Sequence, residues 1–545
     1  MEQSEDCFNQ HSGSYARQCA ISNMRKETHH MKTRFFALVL ALAMLLSCTA
    51  LADAPGIQPL TDAEGASVSM LAMNSWYSTV DLSDAVLLNE IEKRANVEIE
   101  WNLIDPTIYA DTVSPMLASG QDLPDIIQLP DTDSNMTYLS TGMFVKLDEY
   151  LDKMPNYSYF LEKNPDIKAA LTAPDGHIYY VPQTAVASTY QPVLMYNMPW
   201  IEKLGIEPPK TLDDFVAMLR RFRDEDMNGN GDATDEIPMS VQASFLPYMF
   251  GPAFGLDLVS GFYADEEGVV HYAAYESEKY KAYLTFLHDL YEEGLLEVEF
   301  TSLNRDQTTE RFAKDLTGVT YDFSWQMSNL YSAQYPSYQA DPSKGVVVGV
   351  PPLSGEYEGA YIGRNAVSGI FGVNVKAKDV DLAVKFLDAA MSEEAQDLYV
   401  WGMEDLTYII NEAGEREYLP RCTEDTIWYQ GLGINAPNMP SQQSAEATAV
   451  LLADWHVQAI ADNEAPYARA PFPAVYSTTD EVSVISMYLT DLTTYVDERC
   501  VAFICGYASI EDEFDSYIET LKGMQVEELI KVKQAQWDRY AEAMK

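Results

Sequence analysis

Hydrophobic positions along the chain switch repeatedly between a period near two and a period near 3.6, the signatures of strands and of amphipathic helices. Val68 to Met73 is a mostly apolar run that predicts a strand. Asp84 to Ala95 follows with Leu87, Ile91 and Ala95 on one helical face, and Val97, Ile99 and Trp101 then alternate as a strand. Asp125 to Leu129 predicts a short buried strand leading into a polar loop from Pro130 to Asn135. Further on, the Asp175-Gly176 turn opens a strand over His177 to Pro182, and Pro192 to Asn197 forms another. Thr211 caps a helix whose inward face is Phe215, Met218, Leu219 and Phe222, with Asp214 favourable in its first turn. A helix over Glu278 to Glu293 puts Leu284, Leu287 and Tyr291 inward and stops at Gly294. Val346 to Val350 is a strand, Asp379 to Ala390 a helix, and Ser392 caps the next. Near the end, Phe514, Ile518 and Leu521 line one helical face, Gly523 breaks it, and Leu529, Lys533, Trp537 and Tyr540 continue. Strand–helix alternation of this kind predicts an α/β architecture with crossovers, in which ligands gather at loops leaving the strand ends.

At 545 residues the chain exceeds what one core supports, so at least two domains are expected. A net charge of −49 repels phosphate backbones and acidic lipid surfaces, which excludes nucleic acid as a partner. A 47% hydrophobic content separates it from a disordered acidic chain. Met31 to Arg34 forms a basic n-region and Phe35 to Leu46 an apolar run too short to span a bilayer, so 31–52 reads as a signal peptide. Ala50-Leu51-Ala52 offers a cleavage site, and Leu45-Leu46-Ser47-Cys48 a competing lipoprotein box with Cys48 lipidated. Residues 1–30 form an upstream extension and 53–66 a small-residue linker. Either cleavage leaves Cys422, Cys500 and Cys505, an odd number that completes no disulfide framework, and no Cys or His spacing suits zinc.

One loop carries distinct chemistry. In Asp226-Met227-Asn228-Gly229-Asn230-Gly231-Asp232-Ala233-Thr234-Asp235-Glu236, oxygen side chains recur at every second position and two glycines allow sharp turns. Ca²⁺ takes six to eight oxygens in flexible geometry, and Asp226, Asn228, Asn230, Asp232, Asp235 and Glu236 supply them. With Asp226 first, the final acids arrive one or two residues early for an EF-hand; starting at Asp224 places acids or amides at the standard positions. Both registers stay open. An ion here ties off the preceding helix, a structural role.

Several ordered segments resemble the extracellular solute-binding proteins of bacterial ABC sugar importers, the group that includes the lipoprotein and alginate-oligosaccharide binders. They include Asn74-Ser75-Trp76-Tyr77, Ala118 to Ile127, and Leu171 to Gly176 with Tyr180 and Pro182. Pro199 to Gly205 leads into the capped helix and the loop closing on Asp235-Glu236-Ile237-Pro238. Leu290 to Leu295, Trp401 to Glu404 and Tyr517 to Met524 follow in order. The resemblance implies an α/β, two-lobed periplasmic-binding-protein-like fold of type II with the ligand cleft between lobes. Lobe 1 is then 67–188 plus 365–420, and lobe 2 is 189–364 plus 421–545. It also implies calcium in the loop, capture of a saccharide of little or no charge (an oligosaccharide in particular), and delivery to the transmembrane subunits of an ABC permease. The protein is expected to act as a monomer, exported to the cell surface or periplasm. In the family the loop is commonly one residue shorter, and Arg is common where Asn197 stands here.

A saccharide cleft needs flat rings for the C–H faces and carboxylates or amides for the hydroxyl rim. The candidates are Trp76 and Tyr77 after the first strand, Asp131 and Asp133 after the strand ending at Leu129, and Gln183 and Tyr190 near the first crossing. Phe254 lies in a Gly-Pro-Ala-Phe-Gly turn, Trp325 in Tyr-Asp-Phe-Ser-Trp, Arg364 near the return crossing, and Trp401 and Glu404 after a helix. A glycoside hydrolase is the rival reading, as is a peptide-binding or adhesion protein. Paired carboxylates among 84 acidic residues discriminate nothing, and no nucleophile elbow, zinc-protease motif or Walker loop is present, so no enzyme is expected.

Overall fold

The computed structural model describes Gly56–Lys545 apart from 75–79, 131–137, 140, 185–191, 336–340, 342, 435–437, 443–448 and 450–451. The expected leader, the extension before it and Cys48 lie outside the described residues, as do Trp76, Tyr77, Asp131, Asp133 and Tyr190.

Strands β1 (Ser67–Met73), β2 (Glu98–Ile104) and β3 (Ile126–Gln128) alternate with helices Val86–Ala95 and Tyr109–Ser119, and β1 pairs in parallel with both β2 and β3. This is the crossover pattern that the hydrophobic periods predict. The strand expected from His177 begins later, as β4 (Tyr180–Thr184). The preceding residues are held in a turn instead, with His177 N–H on Asp175 Oδ1 and Ile178 N–H on Asp148 Oδ1.

Beyond 185–191 the chain builds a second sheet from β5 (Pro192–Asn197) and β6 (Ile237–Met239). A hairpin of β7 (Phe262–Ala264) and β8 (Val270–Tyr272) stands apart from it, and β9 (Thr317–Phe323) and β10 (Val347–Gly349) complete it in the order β10-β5-β9-β6. From β11 (Tyr361–Ile362) the chain returns to β12 (Val367–Val373), which inserts antiparallel between β3 and β4. A second hairpin, β13 (Tyr408–Ile410) with β14 (Arg416–Tyr418), precedes β15 (Ser441–Gln442). β15 lies parallel to β4 and gives the first sheet its order β15-β4-β12-β3-β1-β2. The chain then leaves again, and β16 (Ala468–Arg469) pairs in parallel with β11.

Buried side chains form two cores. One gathers Met70, Leu87, Ile127, Phe371 and Phe386 around the first sheet; the other gathers Tyr196, Phe215, Leu287, Tyr321 and Phe503 around the second. Cys422, Tyr429, Leu432 and Met439 bury in the first core, and Leu87 N–H donates to Leu432 O. Cys422, Tyr429, Leu432 and Met439, expected with lobe 2, therefore pack with the first sheet. The chain passes between the cores between Thr184 and Pro192, between Ile362 and Val367 and after Gln442, and Tyr476 later packs back against Tyr180 of the first core.

The predicted Thr211 and Ser392 caps form, their side chains accepting from the N–H groups of Asp214 and Ala395, while Asp379, expected as the first residue of its helix, instead caps it by accepting from Leu382 N–H. The helix expected over 278–293 is Ser277–Glu292, and it buries Leu290 where Tyr291 was expected inward. The longest helix, Thr479–Ile504, packs with Ile510–Gly523 and Val526–Ala543 over the second core. Among the described residues no helix is long and apolar enough to cross a membrane. Cys422, Cys500 and Cys505 are free thiols.

Candidate functional site

Two places gather polar chemistry. The first is the loop after helix Leu212–Asp224. Asp224 turns back onto Arg223, with Oδ1 2.7 Å from Nε. Asp226 turns inward, Oδ1 accepting from Gly229 N–H (2.7 Å) and Oδ2 from Gly231 N–H (3.0 Å). Gly229 and Gly231 adopt φ of +77° and +92°, a conformation that a Cβ disfavours. The ladder continues: Asn228 Oδ1 accepts from Asn230 N–H, Asn230 Oδ1 from Asp232 N–H, and Asp232 Oδ1 from Thr234 N–H. Asp235 takes the amide N–H groups of Asn228 and Asn230. Glu236 is buried; Oε1 accepts from Met227 N–H at 2.7 Å, while Oε2 has no hydrogen-bond partner. A buried carboxylate oxygen left unpaired is costly, and a hard cation inside the loop would satisfy it. Among the described residues no three His, Cys, Asp or Glu side chains gather as a metal site, and this loop draws on two amide oxygens besides its acids. The donor set fits calcium.

The second place is the end of the second sheet that meets the crossings. Phe323, the last residue of β9, pairs with Pro192, the first residue after 185–191. Asp322 is fully buried yet well served. Arg305 donates Nε to Oδ2 (2.7 Å) and Nη2 to Oδ1 (2.9 Å), and the Tyr331 hydroxyl donates to Oδ2 (2.9 Å). The guanidinium carbons of Arg305 and Arg364 lie 5.9 Å and 5.3 Å from the Phe323 ring centroid. Trp325 follows half-buried.

Beneath lies a buried group. Glu464 Oε1 accepts from Ser324 Oγ (2.8 Å), His456 Nδ1 meets Ser328 Oγ (2.8 Å), and Trp455 stacks on the His456 ring at 5.4 Å. Burial pushes the Glu464 carboxyl up to about 8, against the pull of the Ser324 bond. Burial likewise pulls the His456 imidazole down to about 4, so the acid holds its proton and the imidazole stays neutral near pH 7. The set lacks the order of a nucleophilic triad, because Glu464 bonds a serine and not the imidazole.

On the first sheet, Gln128 Oε1 accepts from Met73 N–H, and Asn438 Nδ2 donates to Met73 O and Asn74 O. These groups sit at the carboxyl ends of β1 and β3, where ligands of α/β sheets collect. Gln183 of β4 lies beside Gly369 of β12, where a Cβ would come within 3.2 Å of Gln183 Oε1.

Of the candidates within the described residues, Gln183, Trp325 and Arg364 therefore come to the crossings. Phe254 packs edge-on to Tyr283 and tilted on Phe286 in the second core. Trp401 is 9% exposed, stacks on Tyr418 at 4.9 Å and carries Arg416 over its ring. Glu404 is exposed beside the β13–β14 hairpin, bridged to Tyr408. Sequence reasoning missed Asp322, Arg305, Trp455, His456 and Glu464. The available signal was Asp322, a charge inside an otherwise uncharged strand.

Two α/β cores linked by chain crossings give the two-lobed fold of the periplasmic-type binding proteins. The chain belongs to the bacterial extracellular solute-binding protein family, whose model matches residues 78–397. It is 26% identical over 512 residues to the fructooligosaccharide ABC transporter substrate-binding protein FusA of Streptococcus pneumoniae, covering 88% of this chain and 91% of FusA. It is 25% identical over 425 residues to the lipoprotein LipO of Bacillus subtilis, covering 76% and 81%. The crystal structure of the alginate-binding protein AlgQ2 without calcium ion superposes with a TM-score of 0.70 at 21% identity, covering 89% of this chain and all of AlgQ2.

Proposed function

We propose that the chain is the extracellular substrate-binding component of an ABC transporter, capturing an oligosaccharide and handing it to the membrane permease. The observation that carries this is the pair of opposed, chemically furnished sheet ends at the chain crossings; family membership and the named ligand of FusA support it. Lobe 1 comprises 57–184 and 367–442, with Tyr476 packed against it, and lobe 2 192–362 and the residues from 452 on, with the last crossing after Gln442 and not at 420. Trp325 and Trp455 offer ring faces to sugar C–H surfaces, and Gln183 and Arg364 offer donors to the rim. Contacts from both lobes are complete only when the cleft shuts, so ligand favours the closed state. The protein binds and releases its ligand unchanged, as a monomer, exported and held at the cell surface; the likeness to LipO supports an anchor at Cys48.

Asp226, Asn228, Asn230, Asp232, Asp235 and Glu236 would hold calcium, in the register that starts at Asp226, since Asp224 is engaged by Arg223. The ion would supply the positive charge that the buried Glu236 oxygen lacks and pin the loop to the helix before it. Differential scanning fluorimetry against an oligosaccharide panel tests the function. A saturable rise in melting temperature with one glycan, recovered intact, is expected. Glycan shortening, or no response to any glycan, refutes it. Trp325→Ala should weaken binding at least tenfold, with the ligand-free melt read beside it to separate a lost contact from a lost fold.

A further inference from the structure

The arginines are not all employed alike. Among the described residues, every arginine from Arg94 to Arg539 sits at ion-pair distance from an Asp or Glu carboxylate, except Arg364 and Arg469. In a chain with 84 acidic residues against 35 basic ones, carboxylates are the easiest partners to find, so two arginines left without one stand out. They are neighbours in space. Ile362 of β11 is in register with Arg469 of β16, and Gly363 N–H donates to Arg469 O at 2.8 Å. Arg364 comes two residues after Ile362, so its Cα lies on the order of 8 Å from that of Arg469, within reach of two long side chains converging on one group.

Both belong to the connections between the lobes. Arg364 is exposed, yet its guanidinium is placed over the Phe323 ring. Arg305 lies over the same ring with its charge neutralised by Asp322 through two hydrogen bonds, and Arg364 has no such carboxylate among the described residues.

We propose that Arg364, with Arg469 beside it, receives a carboxylate carried by the saccharide, so that the cleft is built for an acidic glycan and not a neutral one. This rests on the reading of the protein as a saccharide binder. A guanidinium matches a carboxylate in plane and in charge, which sugar hydroxyls do not. Closure of the lobes would strip water from Arg364, and a desolvated charge needs an opposite charge, not merely an acceptor. The overall charge of −49 argues for a neutral ligand at long range. Screening confines that repulsion to about 8 Å at physiological salt, so the local pair decides.

The test uses the mature chain and calorimetric titration. The probes are an oligogalacturonate, an oligomannuronate and a sialyl-oligosaccharide, each beside its methyl ester, with neutral fructo-, xylo- and manno-oligosaccharides for comparison. One acid should bind at least tenfold tighter than its own ester, with affinity falling as salt rises. Arg364→Gln should abolish that preference, costing the acid at least tenfold more affinity than its ester; Arg469→Gln should reduce the preference in part. Equal binding of acid and ester, binding only of neutral glycans, or an equal loss for acid and ester in Arg364→Gln overturns the inference and leaves the saccharide-binding reading intact. Silence across the whole panel overturns both.

Discussion

Replacing Glu464 with Gln isolates one buried proton. The carboxyl is 0% exposed, bonded through Oε1 to Ser324 and unpaired at Oε2, and burial raises it from 4.5 to about 8. A carboxyl with a raised folded pKa binds its proton more tightly in the folded chain. Its stabilising contribution is full below the ordinary value and is lost as pH rises through about 8. Between about pH 7 and about pH 9 the loss is roughly 1.4 kcal/mol, because the folded group alone keeps its proton over only one pH step of that interval. His456, pulled down to about 4, is neutral across that range, and Asp388, pushed up to about 6, is charged across most of it. Neither contributes much slope there. A Gln side chain at this position keeps an acceptor for Ser324 and never ionises. Urea unfolding followed by tryptophan fluorescence should show the natural protein losing stability over this range by about that amount more than Glu464→Gln does. The variant should already be the more stable of the two at pH 7, because the unfolded natural chain ionises this carboxyl freely while the folded chain cannot. Parallel pH curves for the two proteins would refute the assignment of a neutral Glu464.

Three further outcomes follow from the packing and the loop. Asp388 is buried against Asn156 Nδ2 and Tyr157 N–H, and burial raises it to about 6 despite those bonds; as pH falls from about 7 to about 5 it should add roughly 1 kcal/mol of stability, and urea unfolding of Asp388→Asn should lack that increment. A Cβ at Gly318 would come within 2.5 Å of the Phe222 ring and 2.9 Å of Trp200, so Gly318→Ala should cost roughly 1–3 kcal/mol by the same measurement; an unchanged midpoint would show that the second core yields there. Calcium at about a hundred times its Kd should stabilise the fold by roughly 2.7 kcal/mol, read as a melting shift on chelation, and Glu236→Gln should remove most of that shift; identical melts with and without chelator would exclude the ion.

Residue order alone settles the features that short-range chemistry controls. The helix over Leu212–Asp224 and its Thr211 cap follow from the apolar spacing and a hydroxyl three residues before an N–H. Most turns of 226–236 follow from side-chain oxygens two or three residues from the N–H groups they accept, which no distant contact needs to arrange. The ordered segments also carried the family, and with it the two-lobed fold. Long-range packing set the remainder. Tyr429, Leu432 and Met439 suit either core by their apolarity, and only tertiary packing, with Leu432 O held by Leu87 N–H, assigns them to the first. Trp401 and Trp325 look alike in sequence, yet one is stacked into a hairpin and the other stands at a crossing. Ser324 meets Glu464 across 140 residues, and Gly363 meets Arg469 of β16 only because the chain after Gln442 brings that strand back. Local propensity is written within a few residues; the meeting of distant side chains depends on which strands the whole chain pairs, and no short window contains that information.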